Sequence, residues 1–539
     1  MTEPRLTLHG VSFALPGGSA LFTGLSDSFG ATRTALVGRN GAGKSVLARI
    51  LAGELAPSAG RCERLGTLHF VTQQAALPRP GQTVAGLAGL EGPLQALRNI
   101  ENGSCAAEDF ELLAERWDLR ERLQAALQQH GLPPLPPETP ASQLSCGQAM
   151  RVALIGAQLA DADFLLLDEP GNHLDQAGRQ ALAQFIARWP RGLLLISHDR
   201  ALLRCMERIV ELAPHGLHSY GGNYDFYLQA RRQSLQAAQA RLAQRKLERT
   251  RQEHAMRVQQ ERQQRKSARG DKAGQQANQA RILLDRQKQR AQDSAGKLAQ
   301  QHATARQALD RHVRQAWQQM DAPPSIHLHL PSQAVQTPRI VAELREVRLP
   351  HLQATDPAPI DWRLQAGQRI AVTGPNGCGK STLLQVLAGT LQPLQGQCLR
   401  HAPHAFLDQW LQLLRPECTV LELLQAASPA TAEAEQRMRL AQLGLSAPQL
   451  ATPSARLSGG ERLKAALACA LYADEPAALL LLDEPDNHLD LASIEALEQM
   501  LGQYRGTLVL VSHDEELLQR LQLTHRLEAT DKGWQLREA

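Results

Sequence analysis

The chain has 539 residues, 43% of them apolar and 21% charged, which is too long for one core and ordinary for soluble globular domains. No apolar run approaches the roughly 18–20 residues that span a bilayer, the first ten residues lack the apolar core of a signal peptide, and eight cysteines without a CxxC pair exclude a zinc knuckle or a disulfide framework and point to a reducing cytosol. The net charge of +4 conceals a segregation: residues 231–320 carry 21 Lys and Arg against 7 Asp and Glu, a net +14, so the remainder sums to −10.

From the N-terminus, Val11–Ser12–Phe13 begins a strand-like run, and the apolar stretch RTALVG ends in GRNGAGKS, whose first residue, Gly38, lies 27 residues after Val11. A helical pattern, SVLARILAGEL, starts at that loop. LSCGQ follows at Leu144–Gln148, FLLLDEPGNHLD at Phe164–Asp175 and LLLISHD at Leu193–Asp199. After the basic stretch every landmark returns: Val347, then RIAVTG and GPNGCGKST 27 residues on at Gly374, LSGGE at Leu457–Glu461, LLLLDEPDNHLD at Leu479–Asp490, and LVLVSHD at Leu508–Asp514. The DEP glutamate precedes the SHD histidine by 29 residues in both copies. The chain therefore reads as an internal repeat, 1–228 and 329–539, around a linker at 229–328. Strands alternating with helices predict an α/β core with a mostly parallel sheet in each copy. The first copy has about 23 more residues between Gln73 and its LSCGQ, placed within 85–112 and expected to be a longer surface loop rather than a small projecting element.

GxxxxGK[ST] is a phosphate loop. Its glycines let backbone N–H groups face the phosphates, the lysine reaches the β- and γ-phosphates, and the hydroxyl ligates Mg²⁺. The candidate ATP-binding residues are Gly38, Asn40, Gly41, Gly43, Lys44 and Ser45 in the first copy, and Gly374, Asn376, Gly377, Gly379, Lys380, Ser381 and Thr382 in the second. A buried strand delivers Asp168 or Asp483 to the Mg²⁺ sphere, and Glu169 or Glu484 stands where a general base polarises the attacking water. His198 and His513, each after an apolar strand, are placed to contact the γ-phosphate.

Both copies resemble the nucleotide-binding domains of ATP-binding cassette proteins, and LSCGQ and LSGGE match that family's signature. The resemblance implies that two cassettes pair head to tail and enclose ATP between the phosphate loop of one and the signature of the other. One site would join Lys44 to Ser458, Gly459, Gly460 and Glu461, and the other Lys380 to Ser145, Gly147 and Gln148. Gln73 and Gln409 match the Q-loop, which the resemblance adds to the metal site, and Asp175 and Asp490 match the D-loop. Cys146 replaces the first signature glycine, Val46 stands opposite Thr382, and the adenine-stacking aromatic falls near Leu15 and His351, of which Leu15 cannot stack. Unequal ATP sites are the expectation.

Two cassettes in one chain, NHLD after each DEP, and YGGNYDFY at Tyr220–Tyr227 leading into a charged linker together resemble the ABC-F proteins, tandem-cassette ATPases that act on ribosomes. Gly171 and Asp486 depart from that family's usual threonine. In the linker, Leu228, Leu235, Leu242 and Met256 fall on a seven-residue spacing that Arg249 interrupts, and Leu284, Ala291, Leu298 and Ala305 do likewise, so an antiparallel coiled-coil hairpin is expected. The break is predicted in SARGDKAG, Ser267–Gly274, with Arg265, Lys266, Arg269 and Lys272 crowding a basic tip suited to RNA phosphates. The resemblance implies entry through the tRNA exit site, with 23S rRNA and P-site tRNA as partners. It also implies a monomer with intramolecular cassette pairing, a cytoplasmic location, and no membrane partner. No charged tail follows the second cassette, so no further nucleic-acid module is expected. A translation factor is the preferred reading, an antibiotic-resistance protector the alternative, and a transporter energy subunit the third.

Overall fold

The computed structural model describes residues 4–73, 80–276, 296, 300–301, 303–311, 328, 338–350, 358–530 and 533–539. The described chain divides into two compact units, one made of residues 1–226 with 324–539, the other of residues 227–323.

The first unit holds both cassettes, each built on two sheets. In the first cassette, β1 (Arg5–Ala14), β2 (Ala20–Phe29) and β4 (Ala59–Leu65) form an antiparallel sheet in the order β2-β1-β4. The six-stranded sheet runs β5-β6-β7-β3-β8-β9, where β3 is Arg33–Gly38, β5 Leu68–Val71, β6 Phe164–Asp168, β7 Gly192–Ile196, β8 Arg208–Ala213 and β9 Gly216–Gly221. All its neighbours are parallel except β8 and β9. The second cassette repeats this order with strands matched one to one. Strands β6 and β7 are buried at every residue, which is why FLLLD and GLLLI are continuous apolar runs rather than alternating ones. Parallel strands need crossovers, so the loops at their C-terminal ends collect on one edge, and the sequence motifs lie in those loops.

The extra residues of the first cassette are helical. After α1 (Lys44–Ala52) and α2 (Val84–Leu87) come α3 (Glu91–Glu101) and α4 (Ala107–Leu113), which bury Ala96, Leu97 and Leu113 in a small cluster of their own. A surface loop was expected at 85–112. The heptad-like placing of Leu94, Leu97 and Ile100 on one face of α3 is the signal that reading passed over.

In the second unit, α9 (Tyr224–Gln276) is one helix of 53 residues, about 80 Å at 1.5 Å per residue. Facing it is α10, described at residues 303–311. Arg249 pairs with Asp310 at 3.2 Å and Glu253 with Arg306 at 4.0 Å, so four residues forward on one helix match four back on the other, an antiparallel register. Among the described side chains of this unit, Leu242 and Leu309 are buried, each 7% exposed, as is Tyr227 near the start of α9. Arg249, which breaks the heptad, instead bridges Glu253 at 3.0 Å and Asp310. The predicted turn at Ser267–Gly274 is corrected: α9 passes through Gly270 and Gly274 unbroken. A single glycine costs a helix only about 1 kcal/mol, and here good helix formers without proline surround both. The basic cluster Arg265–Lys272 thus lies along a helix and not on a turn, with Arg265 and Arg269 exposed. Residues 277–295, with Leu284 and Ala291 of the second heptad series, and Leu298 lie outside the described residues.

Candidate ATP sites between the two cassettes

Each phosphate loop joins a buried strand to a helix: β3 to α1, and Arg369–Thr373 to α11 (Lys380–Ala388). Gly43 and Gly379 precede those helices with φ of 97° and 95°, and Gly41 and Gly377 lie at 79° and 80°, all left-handed backbone that glycine adopts without strain. Gly43 also has no room, since a Cβ there would come within 2.6 Å of Leu21. The lysine amines fold back onto the loops they guard. Lys44 Nζ donates to the carbonyls of Gly38 at 2.8 Å and Arg39 at 3.0 Å, and Lys380 Nζ to those of Gly374 at 2.9 Å and Pro375 at 3.1 Å. Burial lowers the Lys44 pKa, offset by Glu169, Asp490 and Asp168. Val46 packs against the first cassette's core, which accounts for an apolar residue opposite Thr382.

Asp168 and Asp483 end buried strands beside the loops, and each accepts a hydrogen bond from the loop serine, Ser45 or Ser381. Burial raises both carboxyl pKa values, that of Asp483 to about 6. In each aspartate Oδ1 is buried with no hydrogen-bond partner among the described residues. An orphaned carboxylate oxygen beside a serine hydroxyl fits a divalent cation.

Glu169 and Glu484 follow with φ of 48° and 47°, a left-handed conformation that strains a non-glycine residue by about 1–3 kcal/mol and recurs identically in both copies. Their backbone N–H groups bond to Ile196 and Val511 on the neighbouring strands at 2.8 and 2.9 Å, which fixes the carboxylates in place. The histidines stand 3.6 Å away in both sites, His198 from Glu169 and His513 from Glu484. Burial first and the loop lysine second hold His198 at a pKa of about 3 and His513 at about 4, so both rings are neutral at pH 7. Burial pushes the Glu169 carboxyl well above the usual range. The copies differ here: the Asn487 side chain donates to Glu484, while no Asn172 amide reaches Glu169 among the described side chains.

The two cassettes meet reciprocally through these loops. Asn40 N–H donates to Asp490 at 2.9 Å and its amide to the carbonyl of His488 at 2.6 Å. Asn376 repeats this with Asp175 at 3.4 Å and His173 at 2.9 Å. Asp490 acts on Lys44 and His198, and Asp175 on His513. A cavity of about 220 Å³ lies between the cassettes, with Glu169, His198, His488 and His513 in its walls. The phosphate loop of each cassette therefore contacts the NHLD segment of the other.

Ser145 and Ser458 cap the signature helices α6 (Cys146–Leu159) and α15 (Gly459–Leu471). Gln148 and Glu461 close the same capping box in the two copies, so their difference leaves the helix start intact, and Cys146 occupies an ordinary first helical position. The approach of α15 to the first phosphate loop is registered at Lys464, which the Arg39 charge helps to depress after burial. Gly460 needs its lack of a side chain, since a Cβ would strike Ser493 at 2.1 Å, whereas Gly147 has open space. Gln73 is exposed after β5 and Gln409 half-buried after its counterpart, and neither bonds to a phosphate loop among the described side chains. Leu15 is 42% exposed, and His351 lies outside the described residues. The histidine of NHLD went unused in the sequence reading. His173 and His488 meet edge to face at 5.5 Å across the axis, and their recurrence at one place in both copies was the available signal.

Two phosphate-loop domains in one chain, in reciprocal contact through those loops, define a tandem ATP-binding cassette protein. The ABC transporter family model matches residues 29–172 and 358–487. ATP-binding protein Uup of Haemophilus influenzae is 32% identical over 90% of this chain and 72% of its own length. The tylosin resistance ATP-binding protein TlrC of Streptomyces fradiae is 31% identical over 97% of this chain and 94% of its own, and ABC transporter F family member 4 of Arabidopsis thaliana 30% identical over 91% and 68%. A crystal structure of an archaeal ribosome recycling factor, ABCE1, bound to a ribosomal stalk protein shares the fold, with a TM-score of 0.56 at 18% identity over 98% of this chain and 89% of that one. The chain belongs to the ABC-F family and is an ATP-binding ATPase. Among the described residues no helix is long and apolar enough to cross a membrane.

Proposed function

We propose that this protein is a cytoplasmic, ribosome-directed ATPase in which ATP draws the cassettes together and closure sets the basic linker for binding in the tRNA exit site, near peptidyl-tRNA. The observation that carries the reading is the reciprocal contact of Asn40 with Asp490 and of Asn376 with Asp175, in a chain whose cassettes are joined by a helix as basic as α9. Lys44 and Lys380 exchange their loop carbonyls for the β- and γ-phosphates. Ser458 with Gly459, Gly460 and Glu461, and Ser145 with Gly147 and Gln148, close over the nucleotide from the opposite cassette. Ser45 with Asp168, and Ser381 with Asp483, would hold Mg²⁺, with Gln73 and Gln409 as further candidates, and the ion would supply positive charge for phosphoryl transfer. Glu169 and Glu484 take the proton of the attacking water, neutral His198 and His513 orient the γ-phosphate, and loss of that phosphate opens the cassettes. Arg265, Lys266, Arg269 and Lys272 bind RNA phosphates along the helix.

Linkage requires that ribosomes favour the ATP-closed state as much as closure favours ribosomes. The double variant Glu169→Gln/Glu484→Gln should bind ATP, fail to turn it over, and co-sediment with ribosomes in ATP. Sedimentation free of ribosomes, with ATP bound, refutes the reading. A drug-protection role is the second reading, favoured by the nearly end-to-end match to a tylosin resistance protein. Expression in a susceptible host raises the inhibitory concentration of a macrolide under that reading and leaves it unchanged under the first.

A further inference from the structure

The helix that follows His198, α8 (Arg200–Arg204), carries an ion network outside the ATP sites. Arg200 is 2% exposed. It donates to Glu498 at 2.5 Å and stands 3.6 Å from Glu516 and 3.9 Å from Asp514, all three on the second cassette. Arg204, one turn on, donates to Glu516 at 2.6 Å and to Asp225 at 3.2 Å. Arg520 joins Glu498 and Glu516 from the second cassette's side.

Asp225 and Tyr224 are the first turn of α9 and belong to the same compact unit as the cassettes. Tyr224 is 1% exposed, lies 5.5 Å beneath the Arg204 guanidinium, and has its phenol pushed up to about 12 by burial, with Glu516 and Glu495 of the second cassette adding to the shift. The root of the linker helix is thus packed into a charged contact between the cassettes.

The contact is one-sided. By the internal repeat, Arg200 and Arg204 correspond to Glu515 and Gln519, and Glu498 and Glu516 to Ala183 and Ala201. The mirror edge holds Gln176 and Glu515 at 3.3 Å instead. Among the described residues, the ion pairs within 4 Å that cross between the cassettes lie on the edge that carries the linker root. Asp199 caps α8 through the N–H groups of Ala201 and Leu202, so the histidine facing Glu169 and the two arginines move as one short rigid piece.

We propose that Arg204, with Glu516 across the interface and Tyr224 beneath it, is the positioning joint through which cassette closure sets the linker helix. The inference rests on the reading that closure drives the linker. In the closed arrangement Glu516 fixes Arg204, and Arg204 fixes both residues of the first helical turn. Withdrawal of the second cassette removes Glu516 from Arg204, whose side chain is already 40% exposed, and the first turn of α9 loses the half of its clamp that the second cassette supplies. The hydrogen bonds and ion pairs of Arg204 among the described residues go to Asp225 and Glu516, so its role is positional.

The test uses the full chain without ribosomes. Fluorophores are introduced as unnatural amino acids at Gln252 on α9 and at Gln397 on the second cassette, and energy transfer is read with and without ATP in a Glu169→Gln/Glu484→Gln background. Arg204→Gln is expected to lose more than half of the ATP-dependent change, Arg204→Lys to restore most of it, and Arg204→Gln/Glu516→Gln to behave like either single variant. ATP affinity should stay within about threefold throughout. Full response in Arg204→Gln, or additive losses in the double variant, overturns the joint and leaves the function standing. No ATP response in the parent protein overturns both.

Discussion

Asp486 stands where the first cassette has Gly171, and the structure makes it an electrostatic burden on the second. Its carboxyl is raised to about 6, first by burial, then by the Asp514 charge, against the opposing pull of Arg179 and a hydrogen bond from Ser512. Its Oδ1 is buried without a partner among the described residues. A carboxyl of pKa 3.8 when unfolded and about 6 when folded disfavours the charged form in the native state. Stability from this group is complete below pH 3.8, declines as pH rises through the window up to about 6, and is absent above it. About two units at 1.36 kcal/mol each amounts to a penalty of about 3 kcal/mol at pH 7–8. Asp486→Asn keeps the shape and removes the charge, so it should stabilise the protein by about 2–3 kcal/mol at pH 8 and by almost nothing at pH 4. Urea unfolding of the two proteins, followed by near-ultraviolet circular dichroism across that range, reads the difference directly. A variant no more stable at pH 8, or a gap that stays constant as the pH falls, refutes the assignment of the penalty to this carboxyl.

The two ATP sites should be separable. Lys44→Ala or Lys380→Ala removes the only charge that exchanges loop carbonyls for phosphate, and each variant should lower the stoichiometry from two nucleotides to one in equilibrium binding. In the linker, Leu242→Ala opens the seam where the side chain is 7% exposed, and should cost the hairpin about 2–3 kcal/mol, seen as early melting of its helical signal in the isolated rise of the 222 nm thermal trace. Ribosome binding should weaken steeply with salt. Removing Arg265 and Arg269 together should lower the slope of log affinity against log salt by about 1.5–2 with little change at the ATP sites.

The cassettes were legible in the sequence because their chemistry demands fixed spacings on buried strands. A phosphate loop must follow a strand and open a helix, and the acidic pair must end the strand beside it, so Lys44, Asp168 and Glu169 declare their places without any tertiary information. The linker followed a weaker rule. Gly270 and Gly274 signal a turn only where the surrounding residues do not already favour a helix, and here the summed propensity of α9 outweighs two glycines. Helix α3 was missed because its loop-like flanks, with Gly89 and Gly103, drew attention from the one-face spacing of Leu94, Leu97 and Ile100.

What periodicity could not reach was the contact between cassettes, because pairing partners such as Asn40 and Asp490 are 450 residues apart and share no local pattern. The repeat itself narrows that gap. Two copies related by a pseudo-twofold must present each shared motif to its opposite number, so Asn40–Asp490 implies Asn376–Asp175, and both are present. The same symmetry marks the exceptions. Where Arg200 faces Glu498 and the mirror position sets Glu515 against Ala183, the repeat has been broken on the one edge that also carries the linker root. A buried arginine held by three carboxylates is difficult to open without loss, since its separation leaves charges without partners until water reaches them. That edge therefore resists opening more than its mirror, and cassette separation should begin on the side of Gln176 and Glu515.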